Sequence, residues 1–180
     1  MPIEIEKKYR LESEQVGPLR ARLREAGAEG EGAAEFEENV IYTGPGLDPA
    51  RRVLRLRRKG ARAVFTFKER DLSGSAIKRQ REEETEVADA GALAAILEAL
   101  GYRPALVYEK RRETWRVADT EVVLDELPFG LFVEIEGGEA RILEVEKLLG
   151  LDRAEAEHAP YPELTRRHGT KRGDVFESRF

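Results

Sequence analysis

From Pro2 to Leu11 apolar and polar residues alternate, with Ile3, Ile5, Tyr9 and Leu11 on one face and Glu4, Glu6, Lys8 and Arg10 on the other. A period of two is that of a strand. Ser13 can cap a following helix, in which Val16, Leu19 and Leu23 form an apolar stripe and Gly27 marks the stop. The Gly/Glu-rich stretch 27–32 reads as a loop. Alternation returns in Phe36 to Tyr42 and, after Gly44-Pro45-Gly46, in Val53 to Arg58 and Ala63 to Glu69, the last two joined at Lys59-Gly60. Leu72 to Ser75 reads as a flexible tip and Ile77 to Val87 as a long, charge-dense strand. A helix capped at Asp89 carries Leu93, Ile96, Leu97 and Leu100 and ends at Gly101. Strands follow at Leu106 to Val117, Glu121 to Leu127 and Leu131 to Glu136, then a helix Glu139 to Leu149 and a helical tail from about residue 152.

About eight strands with short antiparallel connections, interrupted by helices and by no long linker, predict one α+β domain over residues 1–180. The sheet is expected to close or nearly close, with helices packed outside.

Composition narrows the chemistry more than the fold. Cysteine is absent, which excludes disulfides, thiolate nucleophiles and Cys-based zinc sites. No apolar run approaches the roughly 20 residues of a membrane-spanning helix, and the N-terminus is a charged strand. The expectation is a cytoplasmic, soluble protein. Although 37% of residues are charged, 31 Lys+Arg nearly cancel 36 Asp+Glu to leave a net charge of −5, so neither nucleic acid nor membrane is an expected partner.

The charges are sorted by strand. Arg55 and Arg57 lie opposite Leu54 and Leu56; Thr66 and Lys68 opposite Phe65 and Phe67. On the acidic strand Lys78, Gln80, Glu82, Glu84 and Glu86 share a face. Lys110, Arg112, Thr114 and Arg116 share another, and Glu134 and Glu136 lie opposite Val133 and Ile135. Any one such face could simply meet solvent. Repeated around a closed sheet, they line its interior, which then needs water, ions or a ligand to neutralise it. Clustered cations beside paired carboxylates suit a polyanion held with hard divalent ions, since Arg and Lys donate to phosphate oxygens and carboxylates supply Mg²⁺ or Mn²⁺ ligands.

Glu4-Ile5-Glu6-Lys7-Lys8 resembles the Glu-x-Glu-x-Lys signature of the CYTH superfamily, the triphosphate tunnel metalloenzymes. The rest of that pattern follows in order: Leu54-Arg55-Leu56-Arg57, Phe65-Thr66-Phe67-Lys68, the acidic strand ending Glu82-Glu83-Glu84-Thr85-Glu86-Val87, Glu109-Lys110-Arg111-Arg112, Leu124-Asp125 and Phe132-Val133-Glu134-Ile135-Glu136. The resemblance implies an eight-stranded antiparallel tunnel. It places Glu4, Glu6, Glu134 and Glu136, with Asp125 and Glu84, around two Mg²⁺ or Mn²⁺ ions, and Lys8, Arg55, Arg57, Lys68, Lys110 and Arg112 on the triphosphate. It gives Glu4, Glu6, Lys8 and Glu136 the catalytic roles. The family usually has an Arg two residues before the first glutamate of the acidic strand, where this chain has Gln80. Either Lys78 or Arg81 compensates, or a bulge shifts the register. His158 and His168 read as surface residues of the tail, Trp115 as outer packing, and Tyr161 as either a closure of one tunnel end or packing of the last helix.

The expected function is metal-dependent hydrolysis of a triphosphate such as tripolyphosphate, a nucleoside triphosphate or thiamine triphosphate. Two alternatives remain: a class IV adenylyl cyclase releasing cyclic AMP and pyrophosphate, and a non-catalytic polyphosphate- or nucleotide-binding module. The partner is a small-molecule triphosphate, with room for a homodimer.

Overall fold

The structure, a computed structural model, describes residues 3–30, 33–70 and 78–180, apart from the side chains of Ile3, Lys78 and Arg79. The tip Leu72 to Ser75 and residues 31–32 and 77 lie outside the described residues. The chain runs β1 (Ile3–Leu11), α1 (Ser13–Glu25), β2 (Glu29–Gly30), β3 (Glu35–Thr43), β4 (Arg52–Lys59), β5 (Arg62–Arg70) and β6 (Lys78–Glu86). Then come α2 (Ala90–Ala99), β7 (Arg103–Val117), β8 (Thr120–Leu127), β9 (Gly130–Glu136), α3 (Glu139–Leu148), α4 (Tyr161–His168), β10 (Thr170–Arg172) and β11 (Val175–Ser178).

Eight of these strands close a ring in the order β7-β3-β4-β5-β6-β1-β9-β8 and back to β7, every neighbour antiparallel. This is the closed eight-stranded antiparallel barrel, with helices packed outside. Local chemistry sets the joints. Gly60, at φ 57, turns β4 into β5, and Ala118 and Asp119, at φ 50 and 59, supply the left-handed pair of a two-residue hairpin between β7 and β8. Asp89 caps α2 by accepting from the Gly91 and Ala92 amides at 2.9 Å. Helix α1 is capped one residue earlier than expected: Glu12 is the N-cap, in a capping box with Gln15.

Alternation sends one face of each strand outward. Tyr9, Leu11, Val122, Leu124, Val133 and Ile135 meet Leu19 and Leu23 of α1 and Ile142 and Val145 of α3, while Trp115 packs on the same outer layer. Val40, Tyr42, Leu54 and Leu56 pack with Leu97 of α2 in a second layer. Fully burying one such side chain stabilises by about 1.5–3 kcal/mol, so these layers hold the ring shut.

A third cluster is inside. Ile41, Val53, Leu106, Tyr108, Leu127 and Phe132 share the inward parity of their strands and pack against Tyr161 and Leu164 of α4. They plug one end of the barrel. The expected helical tail is therefore corrected: it is helical only over α4. A β10–β11 hairpin follows, turned at Gly173 (φ 59), and β11 joins β7 in parallel. Among the described residues, no helix is long and apolar enough to cross a membrane.

Candidate active site

Beyond the plug the inward face is dominated by charged side chains, with Asn39, Thr66 and Gln80 among them. Deepest is a clamp around Asp125, which is fully buried. Arg112 donates to its two oxygens at 2.7 and 2.5 Å, Tyr161 donates its hydroxyl at 2.8 Å, and Lys110 Nζ lies 3.3 Å away. The same guanidinium reaches Glu134 at 2.7 Å, and Lys8 lies 3.5 Å from Glu134 and over the Tyr161 ring at 4.1 Å. Burial would raise the Asp125 pKa, but Arg112 and Lys110 hold it well below the usual carboxylate range. Burial and the adjacent Arg112 lower the pKa of Lys110. Its other neighbour is Glu37 of β3, 3.4 Å away and buried.

Further round the ring Lys68 lies 2.7 Å from both Glu4 and Glu82. Gln80 donates to Glu4 at 2.5 Å. Burial and Glu82 raise the Glu4 pKa against the pull of Lys68. Arg57 holds Glu84 at 3.1 Å, Thr66 donates to the same oxygen at 3.0 Å, and Arg55 lies beside Thr66, Glu82 and Glu84 at 3.3, 3.9 and 3.8 Å. Glu6 and Glu136 are opposed in register on β1 and β9, and Glu136 is opposed by Glu121 on β8. Burial and the charges of Glu4, Glu121 and Glu6 push the Glu136 carboxyl up to about 7.

The barrel thus brings together Glu4, Glu6, Lys8, Arg55, Arg57, Lys68, Glu84, Lys110, Arg112, Asp125, Glu134 and Glu136. It does not bring Arg81, which lies on the outer face with its guanidinium on Glu83 at 3.1 and 3.2 Å. The register is unshifted through β6, with Gln80 opposite Glu4 and Glu82 opposite Lys68, so Arg81 cannot stand in for the arginine that Gln80 replaces. Lys78 has the inward parity, but its side chain lies outside those described. Of the two readings of Tyr161, closure of one end and packing of α4 both hold, since its ring packs in the plug while its hydroxyl serves Asp125. His168 stacks on Phe129, with ring centroids 5.6 Å apart.

Sequence reasoning missed Glu37, Asn39 and Tyr108. The signal was available: Glu37 and Asn39 alternate with Phe36 and Val40. It was masked by Glu38, a polar residue on the outer face, where it meets Arg58 and Arg179 at 2.8 Å.

Hard oxygen donors abound, yet among the described residues no three Asp, Glu or His side chains form a ready coordination shell. Asp125 and Glu134 are committed to Arg112, and Glu84 to Arg57. The carboxylates that crowd one another are Glu136 with Glu4, Glu121 and Glu6, and Glu4 with Glu82. Their donor chemistry is of the kind Mg²⁺ takes, which uses one or two carboxylates and leaves its remaining positions to water and phosphate oxygens.

The CYTH domain family model matches residues 2–157. The fold resembles that of the PH1012 protein from Pyrococcus horikoshii OT3, at 27% identity and TM-score 0.77, covering 89% of this chain and 98% of that one. It also resembles a candidate adenylate cyclase from Vibrio parahaemolyticus, at 22% identity and TM-score 0.75, covering 90% and 97%. A third likeness is to a candidate adenylyl cyclase from Hippeastrum described as having a dominant triphosphatase activity, at 18% identity and TM-score 0.62, covering 87% and 90%. No curated protein sequence matches.

Proposed function

Because the chain belongs to the CYTH domain family, whose members include triphosphatases and adenylyl cyclases and are generally metal-dependent, we propose that it is a divalent-metal-dependent triphosphatase. In this reading it takes a short linear triphosphate into the barrel and hydrolyses a phosphoanhydride bond there. The observation that carries it is the lining: sorted cations and carboxylates around a barrel closed at one end by α4.

Arg57, Lys68 and Arg55 hold Glu84, Glu4 and Glu82, and phosphate oxygens compete for the same donors. Lys110 and Arg112 are fixed by Asp125, Glu37 and Glu134, so their charge is oriented before substrate arrives and need not reorganise as charge develops at phosphorus. Displaced carboxylates then need a new counterion. A Mg²⁺ or Mn²⁺ ion on Glu6 and Glu136 together with phosphate oxygens would neutralise developing charge and lower the pKa of a bound water. The inward aromatic residues Tyr108, Phe132 and Tyr161 pack on one another in the plug, with ring centroids 5.4–6.1 Å apart. They are engaged there and do not form a platform for a purine, which favours hydrolysis over cyclisation.

The test is incubation with tripolyphosphate, ATP and thiamine triphosphate plus Mg²⁺ or Mn²⁺, assaying orthophosphate, pyrophosphate and cyclic AMP. Orthophosphate is expected, abolished by chelator. Cyclic AMP with pyrophosphate would make the protein a cyclase, and binding without turnover a module. Glu6→Gln and Glu136→Gln should each lower turnover at least ~10²-fold, the scale of a lost transition-state electrostatic contact. Glu83→Gln, on the outer face, should leave it nearly unchanged.

A further inference from the structure

One polar group inside the barrel has no role in the ion-pair lining. Asn39, on β3, has the inward parity of Glu37 and Ile41 and is fully buried, with no exposed surface. It stands opposite Arg57 on β4 and opposite Tyr108 on β7. Neither its Nδ2 nor its Oδ1 makes a hydrogen bond to any described residue. The next inward residue on β4 towards the plug is Arg55. Its Nη2 reaches Thr66, while its buried Nε–H is likewise without an acceptor among the described residues.

Leaving a buried donor or acceptor unmatched costs about 1–3 kcal/mol per group. Such groups are rare in folded proteins and point to a ligand or to water. These three groups on neighbouring strands, Asn39 level with Arg57 and Tyr108 and Arg55 one inward step nearer the plug, make a small cradle beside the buried Glu37 Oε2, which likewise has no hydrogen bond among the described residues. Its chemistry is mixed: the amide NH₂ and the guanidinium Nε–H donate, and Oδ1 accepts.

We propose that Asn39 and Arg55 form an end-recognition subsite for the unsubstituted terminal phosphoryl group of a linear polyphosphate, which enters with that end towards α4. The subsite rests on the polyphosphate reading above and deepens it. A terminal phosphoryl offers oxygens to the donors and, with a second pKa near 6 as for phosphomonoesters, a P–OH that can donate to Oδ1. A phosphoryl bridged on both sides has no such hydroxyl. Neutral Asn suits this group in a way Asp does not, because a carboxylate there would repel it.

The experiment compares wild type, Asn39→Leu and Asn39→Asp by isothermal titration in excess chelator, which stops turnover. The probes are inorganic tripolyphosphate and cyclic trimetaphosphate, whose phosphoryl groups are all bridged. Wild type should bind both. Asn39→Leu should weaken tripolyphosphate about ten- to a hundredfold, the scale of one hydrogen bond to a charged group, while changing trimetaphosphate little. Asn39→Asp should weaken tripolyphosphate more. The melting temperature of ligand-free Asn39→Leu should hold or rise, because an unmatched amide is replaced by an apolar group of similar size. Equal affinity of wild type and Asn39→Leu for tripolyphosphate, equal losses for both probes, or a destabilised Asn39→Leu would each overturn the subsite and leave the polyphosphate reading standing. Failure of wild type to bind either probe, in chelator and again with Mg²⁺ added in the cold to limit turnover, would remove both.

Discussion

Burial alone would raise the pKa of both Glu37 and Glu136, yet the two end on opposite sides of the ordinary value of 4.5. Glu37 is drawn down to about 2 because Lys110, Arg112 and Arg57 outweigh its burial. Glu136 is pushed up to about 7 because Glu4, Glu121 and Glu6 add to it. A lowered carboxylate stabilises the fold above about pH 4.5 and loses that contribution as pH falls through about 2. A raised one does the reverse: its contribution is full below about pH 4.5 and is lost as pH rises through about 7. The melting temperature of metal-free protein should therefore fall between about pH 5 and about pH 8, and by less in Glu136→Gln, as read by differential scanning fluorimetry. Parallel slopes would show that Glu136 carries no such burden. Glu37→Gln, by contrast, should cost about 3 kcal/mol in urea denaturation at neutral pH, because it takes one partner from a buried pair.

At the scale of elements, α4 is a plug with a polar tip. Leu164 and the Tyr161 ring belong to the apolar cluster, and the Tyr161 hydroxyl belongs to the Asp125 clamp. Tyr161→Phe should keep the plug and lose about 1.5–3 kcal/mol, the worth of a hydrogen bond to a charged group. An unchanged urea midpoint would mean that Arg112 and Lys110 satisfy Asp125 without it. The sequence offered Tyr161 as a closure of one tunnel end or as packing of the last helix, but the coupling of its hydroxyl to Asp125 was beyond its reach, because no local pattern joins residues 36 apart in the chain. The eight barrel strands were legible because a half-buried strand must alternate, and the Asp89 and Gly101 boundaries were legible because caps are local chemistry. The inward charges followed from the same parity. Their partners did not, since Arg112–Glu134 and Lys68–Glu4 each reach over an intervening strand, β8 and β6 respectively, in a pairing that no local pattern encodes. The β10–β11 hairpin escaped for a similar reason: its strands are three and four residues long, and β11 is held by β7, to which local periodicity gives no pointer.

For the molecule as a whole, the barrel is two shells with opposite demands. The outer shell of apolar layers under α1, α2 and α3 stabilises the fold. The inner shell of buried charge, in which Lys8 and Lys110 are all but inaccessible, is sustained only by matched ion pairs whose desolvation cost offsets much of their attraction. A polyanion that enters with a divalent ion binds the folded lining and has no equivalent site on the unfolded chain, so it must stabilise by linkage. At a concentration about 100 times its dissociation constant the gain is about 2.7 kcal/mol. For a domain of this size that corresponds to a rise of about 5 to 10 °C in melting temperature. Tripolyphosphate with Mg²⁺, held cold until a rapid thermal scan to limit turnover, should produce that rise in wild type. Sodium chloride at matched ionic strength should not, because general screening acts on the exposed pairs such as Arg111–Glu126 and not on a buried cluster. Arg57→Ala should shrink the shift, and Arg51→Ala, whose residue lies exposed in the turn before β4, should preserve it. A shift reproduced by salt, or shrunk equally by both substitutions, would mean that the anion acts on diffuse surface charge, and the inner shell would then need another explanation for its cost.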